Sequence, residues 1–439
     1  MQGRLVLTIA ASLLTLTAYP AEDWPQFRGP GGRAVSDTAN PPIGFGPSSN
    51  VLWKVAAGSG FSSPVVSGDR IFLTAAINGK PEVLCFSRKD GHVLWRKQVL
   101  RDLPKAAAPE RLASATPVTD GKSVYALVGL FGLIAYDANN GDEQWRQANE
   151  AADEETSASP ILIDDKVIVA IDKDRGSFVE ALDKKSGRSI WRTERPQFSQ
   201  SRATPFHWIN AKRNELILSG FLWLTSYDPV TGHENWRYSG TSMNALSSPA
   251  ADENLLFYAS AQDGTVNTAD GGGGSLGSTP LLADLDSFLQ VPPKPGKGIF
   301  AIQSCGRGDI TASHLAWKSM RGLPGYSSPL FYKGRLFTIK SGGLLSAYDV
   351  KDGSALYQEE RIDAPGDYYA SAVAAAGRVY LTSENGIVTV IDADAGKKNT
   401  PAILSQNKIG EKVLATPALI ERTILIRTET TLYSFEASR

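Results

Sequence analysis

The feature that most constrains this chain is a short motif that recurs eight times along its 439 residues. In seven copies two small residues precede a proline, and in one copy an alanine replaces the proline. The copies are Ser62-Ser63-Pro64, Ala115-Thr116-Pro117, Ala158-Ser159-Pro160, Ala203-Thr204-Pro205, Ser247-Ser248-Pro249, Ser327-Ser328-Pro329, Ala370-Ser371-Ala372 and Ala415-Thr416-Pro417. Their successive spacings are 53, 43, 45, 44, 80, 43 and 45 residues, so the period is near 44 with two longer intervals. Such a repeat indicates an array of similar units.

Each period has the length of four short strands. Four strands of about six residues, joined by turns of about four or five residues, fill it. Between the third and fourth strands an Asp is followed four residues later by a Gly, because Asp accepts backbone N–H groups and Gly adopts the left-handed conformation of a tight turn. The pairs are Asp137 and Gly141, Asp183 and Gly187, Asp228 and Gly232, and Asp349 and Gly353. A unit of this kind is one blade of a β-propeller, and 41 Gly and 25 Pro residues suit many short strands.

A large ring occupies the same position on the fourth strand of six units. These rings are Trp95, Trp145, Trp191, Trp236, Trp317 and Tyr357. We expect each ring to pack between its own sheet and a neighbouring sheet, since burial there removes a large apolar area from water.

The two ends of the repeat predict how the ring closes. After Pro417 the chain has room for three strands, whereas residues 51–55 form a surplus strand with Trp53 at the matching position. We therefore predict an all-β fold, an eight-bladed β-propeller of four-stranded antiparallel blades. Residues 51–55 complete its last blade, which removes exposed strand edges.

The repeat also divides the chain into regions. Residues 1–21 carry Arg4, an apolar run and small residues near Ala18 and Ala21, which predicts a secretory signal peptide cleaved after one of these two alanines. The apolar run is too short for a membrane span, and the segment has no Cys for a lipid anchor. We therefore expect a periplasmic or secreted protein, with an arm at residues 22–50 and the propeller at residues 51–436.

One interval is interrupted by an insertion at about residues 265–298. It contains four consecutive glycines at 271–274, an apolar stretch with helix-like periodicity and a Pro-rich stretch at 292–295. A protruding hairpin or short helix is one interpretation, and a tolerated insertion without a role is the other.

The repeat resembles that of the pyrroloquinoline-quinone-repeat propellers, which runs from Ser-x-Pro to Ala-Leu-Asp-x-x-x-Gly-x-x-x-Trp. The segments from Asp183 to Trp191 and from Asp228 to Trp236 are the nearest copies. The chain is also similar to propellers of the outer-membrane barrel-assembly machinery and to exported relatives that begin Trp-Pro-Gln-Phe-Arg-Gly, found here at residues 24–29. The resemblance implies a propeller over residues 51–436, but a fold does not determine a function.

Members of the resembled family that use the quinone hold it with a vicinal pair of cysteines, a Ca²⁺ ion bound by acidic residues and an Asp that acts as base. Cys85 and Cys305 are the only cysteines here and cannot form a vicinal pair, although sugar-oxidising members also lack that pair. No acidic cluster has the spacing of a calcium loop. We therefore expect no catalytic residue, no cofactor and no metal site, with pyrroloquinoline quinone and Ca²⁺ required only by the alternative function below.

The cysteines and histidines favour structural roles. Cys85 falls in the first blade and Cys305 in the fifth, on opposite sides of the ring, so we expect two buried thiols and no bridge. The four histidines have no short metal-ligand spacing, which favours surface or packing roles.

Candidate binding residues come from their position in the blade. The segment before each first strand should reach one mouth of the central channel, where the residues three before each proline or its replacement form a rim. They are Phe61, Ser114, Ser157, Arg202, Leu246, Tyr326, Tyr369 and Leu414. Phe61, Arg202, Tyr326 and Tyr369, extended by Arg111 and Arg321, are our candidates for binding an extended peptide or a small anion. The alternative is that these side chains only fill the funnel.

The sequence favours a non-catalytic binding scaffold. Lys plus Arg number 45 and Asp plus Glu number 46, so nothing in the overall charge favours a nucleic acid. We expect a monomer without a transmembrane segment that binds a protein or peptide, with outer-membrane assembly components as the favoured partners. The alternative is a pyrroloquinoline-quinone-dependent dehydrogenase.

Overall fold

A computed structural model describes residues 23–99, 109–148, 157–173, 176–195, 201–242, 245–261, 296–397 and 400–437. These residues form eight antiparallel sheets of four strands, in which each sheet is one blade, and this confirms the predicted fold class. The signal peptide predicted at residues 1–21 and all but the last residues of the insertion predicted at about 265–298 lie outside the described residues.

In every blade the strands follow one another from the channel to the outside, except that the fourth strand of blade 8 comes from the N-terminal side of the chain. In blades 1 to 4 the strands are Val65–Ser67, Arg70–Ile77, Lys80–Ser87 and Val93–Gln98; Val118–Thr119, Ser123–Val128, Gly132–Asp137 and Glu143–Gln147; Ile161–Ile163, Lys166–Ile171, Phe178–Asp183 and Ser189–Glu194; Phe206–Ile209, Asn214–Gly220, Trp223–Tyr227 and Glu234–Ser239. In blades 5 to 8 they are Ala250–Ala251, Leu255–Ser260, Gly298–Gln303 and Leu315–Ser319; Leu330–Tyr332, Arg335–Lys340, Leu344–Asp349 and Ala355–Arg361; Val373–Ala375, Arg378–Thr382, Ile387–Lys397 and Thr400–Lys408; Ala418–Ile420, Thr423–Arg427, Thr431–Glu436 and Val51–Ala56.

Short elements join or extend the blades. A four-residue helix, Pro109–Leu112, follows blade 1, and two 3-10 turns lie at Pro30–Gly32 and Gly129–Phe131. Two short parallel strands add a fifth member to a blade: Val35–Ser36 on the channel side of blade 7, and Gly308–Asp309 on the outer side of blade 4.

Burial follows the position of a strand in its blade. All six residues of Ser123–Val128, a second strand, are buried, because neighbouring blades cover both faces. The outer strand Val93–Gln98 instead alternates, with Trp95 buried and both its neighbours exposed. A continuous apolar run therefore marks an inner strand and an alternating run an outer strand.

The ring closes as the sequence predicts. Val51–Ala56 pairs antiparallel with Thr431–Glu436, and a bulge lies between Val51 and Trp53. The surplus strand is thus the outer strand of blade 8, and the two ends of the propeller are joined by a hydrogen-bonded ladder.

The repeated Trp side chains link neighbouring blades through the Asp–Gly turns. A Cβ atom at Gly187 would lie 2.6 Å from the Trp145 ring, so only glycine lets the indole lie on this turn. The same indole donates its N–H to the backbone carbonyl of Lys184 in that turn, at 3.0 Å. Five of the rings pack on the next blade in this way: Trp53 on Gly91, Trp95 on Gly141, Trp145 on Gly187, Trp191 on Gly232 and Trp317 on Gly353.

Blade 4 departs from this pattern. The N–H of Trp236 donates to the carboxylate of Glu215 within its own blade, at 2.5 Å. The link to blade 5 comes instead from Trp208 on the innermost strand, which donates to the carbonyl of Asp252 at 2.6 Å. The departure coincides with the extra parallel strand Gly308–Asp309 on the outer edge of blade 4.

A ring of hydroxyl groups joins the blades at the channel. The second small residue of each motif is the relevant position. In seven places its backbone N–H donates to the side-chain hydroxyl at the equivalent position of the next blade, over 2.9 to 3.3 Å. In the eighth place the hydroxyl of Ser248 donates to the carbonyl of Thr204, at 3.0 Å. We call this ring the hydroxyl belt, and its members are Ser63, Thr116, Ser159, Thr204, Ser248, Ser328, Ser371 and Thr416.

The two cysteines are free thiols, as expected. Cys85 is buried in the third strand of blade 1, whereas Cys305 is partly exposed. The expectation of two buried thiols is therefore wrong for Cys305, because this residue lies in the loop after Gly298–Gln303 rather than in the strand.

The closing strand gives a first test. We expect Trp53→Ala to lower the free energy of unfolding by about 3–5 kcal/mol, because it removes a ring that is 92% buried between blades 8 and 1. Leu52→Ala is the matched control on the same strand, since Leu52 is 46% exposed. Urea unfolding would measure both, and equal losses would contradict closure through this strand.

The Trp–Gly contact gives a second test. Gly187 and Gly334 have similar φ angles of +68° and +71°, but an added Cβ meets nothing within 4 Å at Gly334. We expect Gly334→Ala to cost about 1–2 kcal/mol for the left-handed backbone alone, and Gly187→Ala to cost about 1–3 kcal/mol more for overpacking against Trp145. Urea unfolding midpoints would compare the two variants, and a similar cost at both sites would show that the ring contact is not what requires glycine.

Candidate functional site

The arm before the first complete blade passes through the central channel. The N–H and carbonyl groups of Trp24 pair with those of Val66 on the innermost strand of blade 1, at 2.9 and 2.8 Å. The carboxylate of Asp23 accepts hydrogen bonds from the Ser67 hydroxyl and the Gly68 N–H. Trp24 is fully buried, so the first part of the arm is anchored on blade 1.

Arg28 fixes the arm on the other side of the channel. It is 1% exposed, and its guanidinium donates to the carbonyls of Ser248, Pro249 and Pro329, at 3.4, 2.9 and 2.6 Å. Burial lowers the pKa of Arg28 to about 9, which leaves the group charged at neutral pH. Since Pro249 and Pro329 begin blades 5 and 6, one side chain ties the arm to both blades.

The arm then leaves the channel between blades 7 and 8. Val35–Ser36 pairs in parallel with Val373–Ala375 of blade 7, and the Asn40 N–H donates to the Glu421 carbonyl of blade 8. Further out, the Phe45 ring packs on Phe435, with 5.0 Å between ring centroids. The segment from Trp24 to Gly29, identified in the sequence only as a resemblance, is the part that fills the channel.

The predicted rim lies at the mouth where the innermost strands begin, which we call the upper mouth. All eight residues three before the proline, or its replacement, are exposed or partly exposed, while the two small residues after each are buried. In ring order, blades 5, 6, 7, 8 and 1 contribute apolar or aromatic side chains and blades 2, 3 and 4 contribute polar ones. The first group is Leu246, Tyr326, Tyr369, Leu414 and Phe61, and the second is Ser114, Ser157 and Arg202.

Two of the candidate residues form a stacked pair. The rings of Tyr326 and Tyr369 lie 4.4 Å apart with 24° between their planes, and Tyr369 is 38% exposed. Burial raises the pKa of Tyr369, and the neighbouring Tyr326 and Asp367 add to the increase. The pair therefore offers an aromatic surface with hydroxyl groups.

The three arginines among the candidates lie at different places. Arg202 is exposed on the polar side of the rim, and Arg111 is exposed on Pro109–Leu112, where its carbonyl accepts the Ser114 hydroxyl. Arg321 lies farther from the axis, because it forms an ion pair with Glu359 at 3.3 Å and its carbonyl accepts the Tyr348 hydroxyl over the outer strands of blade 6. The structure therefore brings Phe61, Tyr326 and Tyr369 to one side of the rim and separates the cations.

The opposite, lower mouth contains a cleft that the sequence analysis missed. It has a volume of about 600 Å³ and lies between the arm and the innermost strands of blades 4, 5 and 6. We call it the lower cleft; its lining residues are Gly31, Arg33, Val35, Asp37, Phe206, His207, Trp208, Ile209, Ala250, Ala251, Asp252, Glu253, Phe331, Tyr332 and Lys333. The repeat could not reveal it, because one wall belongs to the arm, which occurs once.

Among the titratable side chains that line the lower cleft, His207 has the pKa farthest from its ordinary value. Burial lowers its pKa to about 4, although Asp164 nearby opposes the change. Within the described residues its Nε2 atom is buried without a hydrogen-bond partner. The imidazole is therefore neutral at physiological pH.

The described residues lack two further features. They contain no group of three or more His, Cys, Asp and Glu side chains that could hold a metal ion. Among the same residues, no helix has the length and apolar character needed to cross a membrane.

His207 predicts an acid dependence of stability. The unfolded chain takes up the proton near pH 6.5 and the folded chain only near pH 4. The free energy of unfolding should therefore decrease as the pH is lowered from 6.5 to 4, by at most about 3 kcal/mol. We expect His207→Gln to flatten this dependence in urea unfolding at pH 4 to 7. His233→Gln, at an exposed turn, is the control, and an unchanged slope in His207→Gln would contradict the assignment.

Comparisons with known proteins agree with this architecture. The sequence model of a family described as outer membrane protein assembly factor BamB matches residues 44–197, 175–276 and 306–439. A relative from Burkholderia pseudomallei (strain K96243), named outer membrane protein assembly factor BamB, is 23% identical over 262 residues. That match covers 54% of this chain and 63% of the relative, so it spans less than two thirds of the relative's length.

Two solved structures share the fold at low sequence identity. BamB from Moraxella catarrhalis matches with a TM-score of 0.57 at 13% identity, over 88% of this chain and 98% of that one. A europium-containing methanol dehydrogenase matches with a TM-score of 0.64 at 11% identity, over 97% of this chain and 100% of that one. Because assembly factors and dehydrogenases share the fold, the fold alone does not separate the two functions.

Proposed function

The chain belongs to the family of the outer membrane protein assembly factor BamB, and from this premise we propose that it is an exported, non-catalytic scaffold that binds a protein partner in outer-membrane assembly. The observation that carries the proposal is the upper mouth. It presents a rim with an aromatic side and a polar side above a channel that the chain fills with its own arm.

The rim suits an extended segment of polypeptide. The side with Phe61, Tyr326 and Tyr369 offers ring surface for apolar side chains, while Ser114 and Arg202 on the other side offer hydrogen-bonding groups. Interfaces rely on a few aromatic and Arg anchors, and these residue types stand here on a rigid ring. The hydroxyl belt and the buried residues beneath the rim hold these positions in place.

The quinone-dependent alternative fits this channel poorly. Its Ca²⁺ would need several oxygen ligands, including carboxylates. The carbonyls of Ser248, Pro249 and Pro329 are bound by Arg28, and the described residues contain no acidic cluster. We therefore assign no step to a quinone, and we propose that the protein acts without a cofactor, as a monomer in the periplasm or outside the cell.

Rim variants test the proposal. We expect Tyr326→Ser with Tyr369→Ser to weaken binding to purified periplasmic components of an outer-membrane assembly machinery at least about tenfold, since two aromatic anchors are lost. Val230→Ser, which removes a 65% exposed apolar side chain from an outer turn, is the control. Surface plasmon resonance would measure both, and equal affinities would remove the rim from the proposal.

Calorimetry separates the two functional classes. We expect no heat of binding when the protein is titrated with pyrroloquinoline quinone in the presence of Ca²⁺. Saturable, Ca²⁺-dependent binding together with reduction of an artificial electron acceptor would replace the scaffold with an oxidoreductase.

A further inference from the structure

The arm shows how the channel-facing edges of the innermost strands bind an extended chain. In blade 7, Val35–Ser36 lies parallel to Val373–Ala375, with Val35 opposite Ala374 and Ser36 opposite Ala375. In blade 1, Trp24 forms an antiparallel bridge with Val66 through two backbone hydrogen bonds. Both edges are completed by added backbone, which is the mode of recognition known as strand addition.

Equivalent edges line the lower cleft on the other side of the arm. Its wall is formed by the innermost strands Phe206–Ile209, Ala250–Ala251 and Leu330–Tyr332, together with the residues that follow them. A volume of about 600 Å³ lies between these strands and the arm, which is in the usual range of binding sites, about 300–1,000 Å³. The cleft thus combines open space with the kind of strand edge that the arm occupies elsewhere.

The walls of the lower cleft are rigid and largely apolar. The Trp208 indole donates to the Asp252 carbonyl at 2.6 Å, which fixes the innermost strands of blades 4 and 5 to each other. The Phe331 ring stacks on Phe257 of the core at 5.7 Å. Ile209, which is 52% exposed, adds an accessible apolar side chain to the cleft. A bound segment would therefore meet a preformed surface, which lowers the entropic cost of binding.

Two ion pairs border the lower cleft. Arg33 and Asp37 form one at 2.8 Å, and Lys333 forms the other with Asp394 of blade 7. Asp252 and Glu253 also line the cleft. Acidic side chains therefore outnumber basic ones at this site, which disfavours a polyanion.

We propose that the lower cleft binds an extended, apolar segment of another polypeptide, which adds a strand to the channel-facing edge of Ala250–Ala251 in blade 5. This site lies at the opposite mouth from the rim and does not depend on the function proposed for the rim. Main-chain hydrogen bonds to blade 5 supply affinity, and alternate side chains contact Ile209 on one side and the arm on the other.

The experiment uses the exported protein and a fluorescein-labelled hexapeptide of alternating valine and threonine with an added lysine at one end and an added glutamate at the other. We expect saturable binding in fluorescence anisotropy. The same peptide N-methylated at every second residue should bind at least about tenfold more weakly, because it lacks the main-chain donors of one edge. Equal binding of the two peptides, or no binding of the first, would overturn the proposal.

Two variants locate the site. Ala251→Tyr places a ring in the lower cleft and should weaken peptide binding at least about tenfold, and Ala355→Tyr, at an exposed position on the outer strand of blade 6, is the matched control. Ile209→Asp tests the same wall at an exposed position if Ala251→Tyr does not fold in a thermal melt. Unchanged affinity in the folded cleft variants would overturn the proposal.

The test also distinguishes this site from the rim. The double rim variant of Tyr326 and Tyr369 should retain peptide binding, and Ala251→Tyr should retain binding of the assembly components. Loss of peptide binding in the rim variant would place the peptide at the upper mouth and overturn the assignment to the lower cleft.

Discussion

The hydroxyl belt is the constraint on which the rest of the structure depends. Backbone N–H groups at the start of each innermost strand are buried and need a partner, and the hydroxyl of the next blade supplies it in seven of the eight links. The link from Thr416 to Ser63, at 3.0 Å, joins the last blade to the first. Closure is therefore specified twice, by the belt at the axis and by Val51–Ala56 at the outside. A short hydroxyl side chain recurs at this position because a longer or apolar one would leave the N–H group unsatisfied.

Features that recur from blade to blade were predictable from the sequence. The belt motif, the Asp–Gly turn and the outer Trp each occur in several blades, so the copies reinforce one interpretation. The surplus strand was predictable because Trp53 occupies the same position in its strand as Trp95 and Trp145 do in theirs. Periodicity failed where a contact occurs once, as with Trp236, whose partner is Glu215 rather than a turn of the next blade.

For the candidate sites too, the repeat predicts only what recurs from blade to blade. Counting from the proline predicted that Phe61, Tyr326 and Tyr369 share one mouth, because the belt fixes the distance from that proline to the axis. That these residues bind a ligand stays a prediction. Counting did not locate Arg321, since the position of a residue within a loop does not give its distance from the axis, and its partner Glu359 lies on an outer strand. The lower cleft could not be predicted at all, because it depends on the path of the arm.

The path of the arm separates the two mouths of the channel. Arg28 places a buried charge among three carbonyls, and Trp24 completes the edge of blade 1. A buried guanidinium is costly unless it is hydrogen-bonded, so the bonds from Arg28 to these carbonyls hold the arm in place in the channel. The fixed arm crosses the channel and forms one wall of the lower cleft. The arm thus has two effects. It completes the channel-facing edge of blade 7, and it encloses the lower cleft, in which we propose that blade 5 accepts a second extended segment.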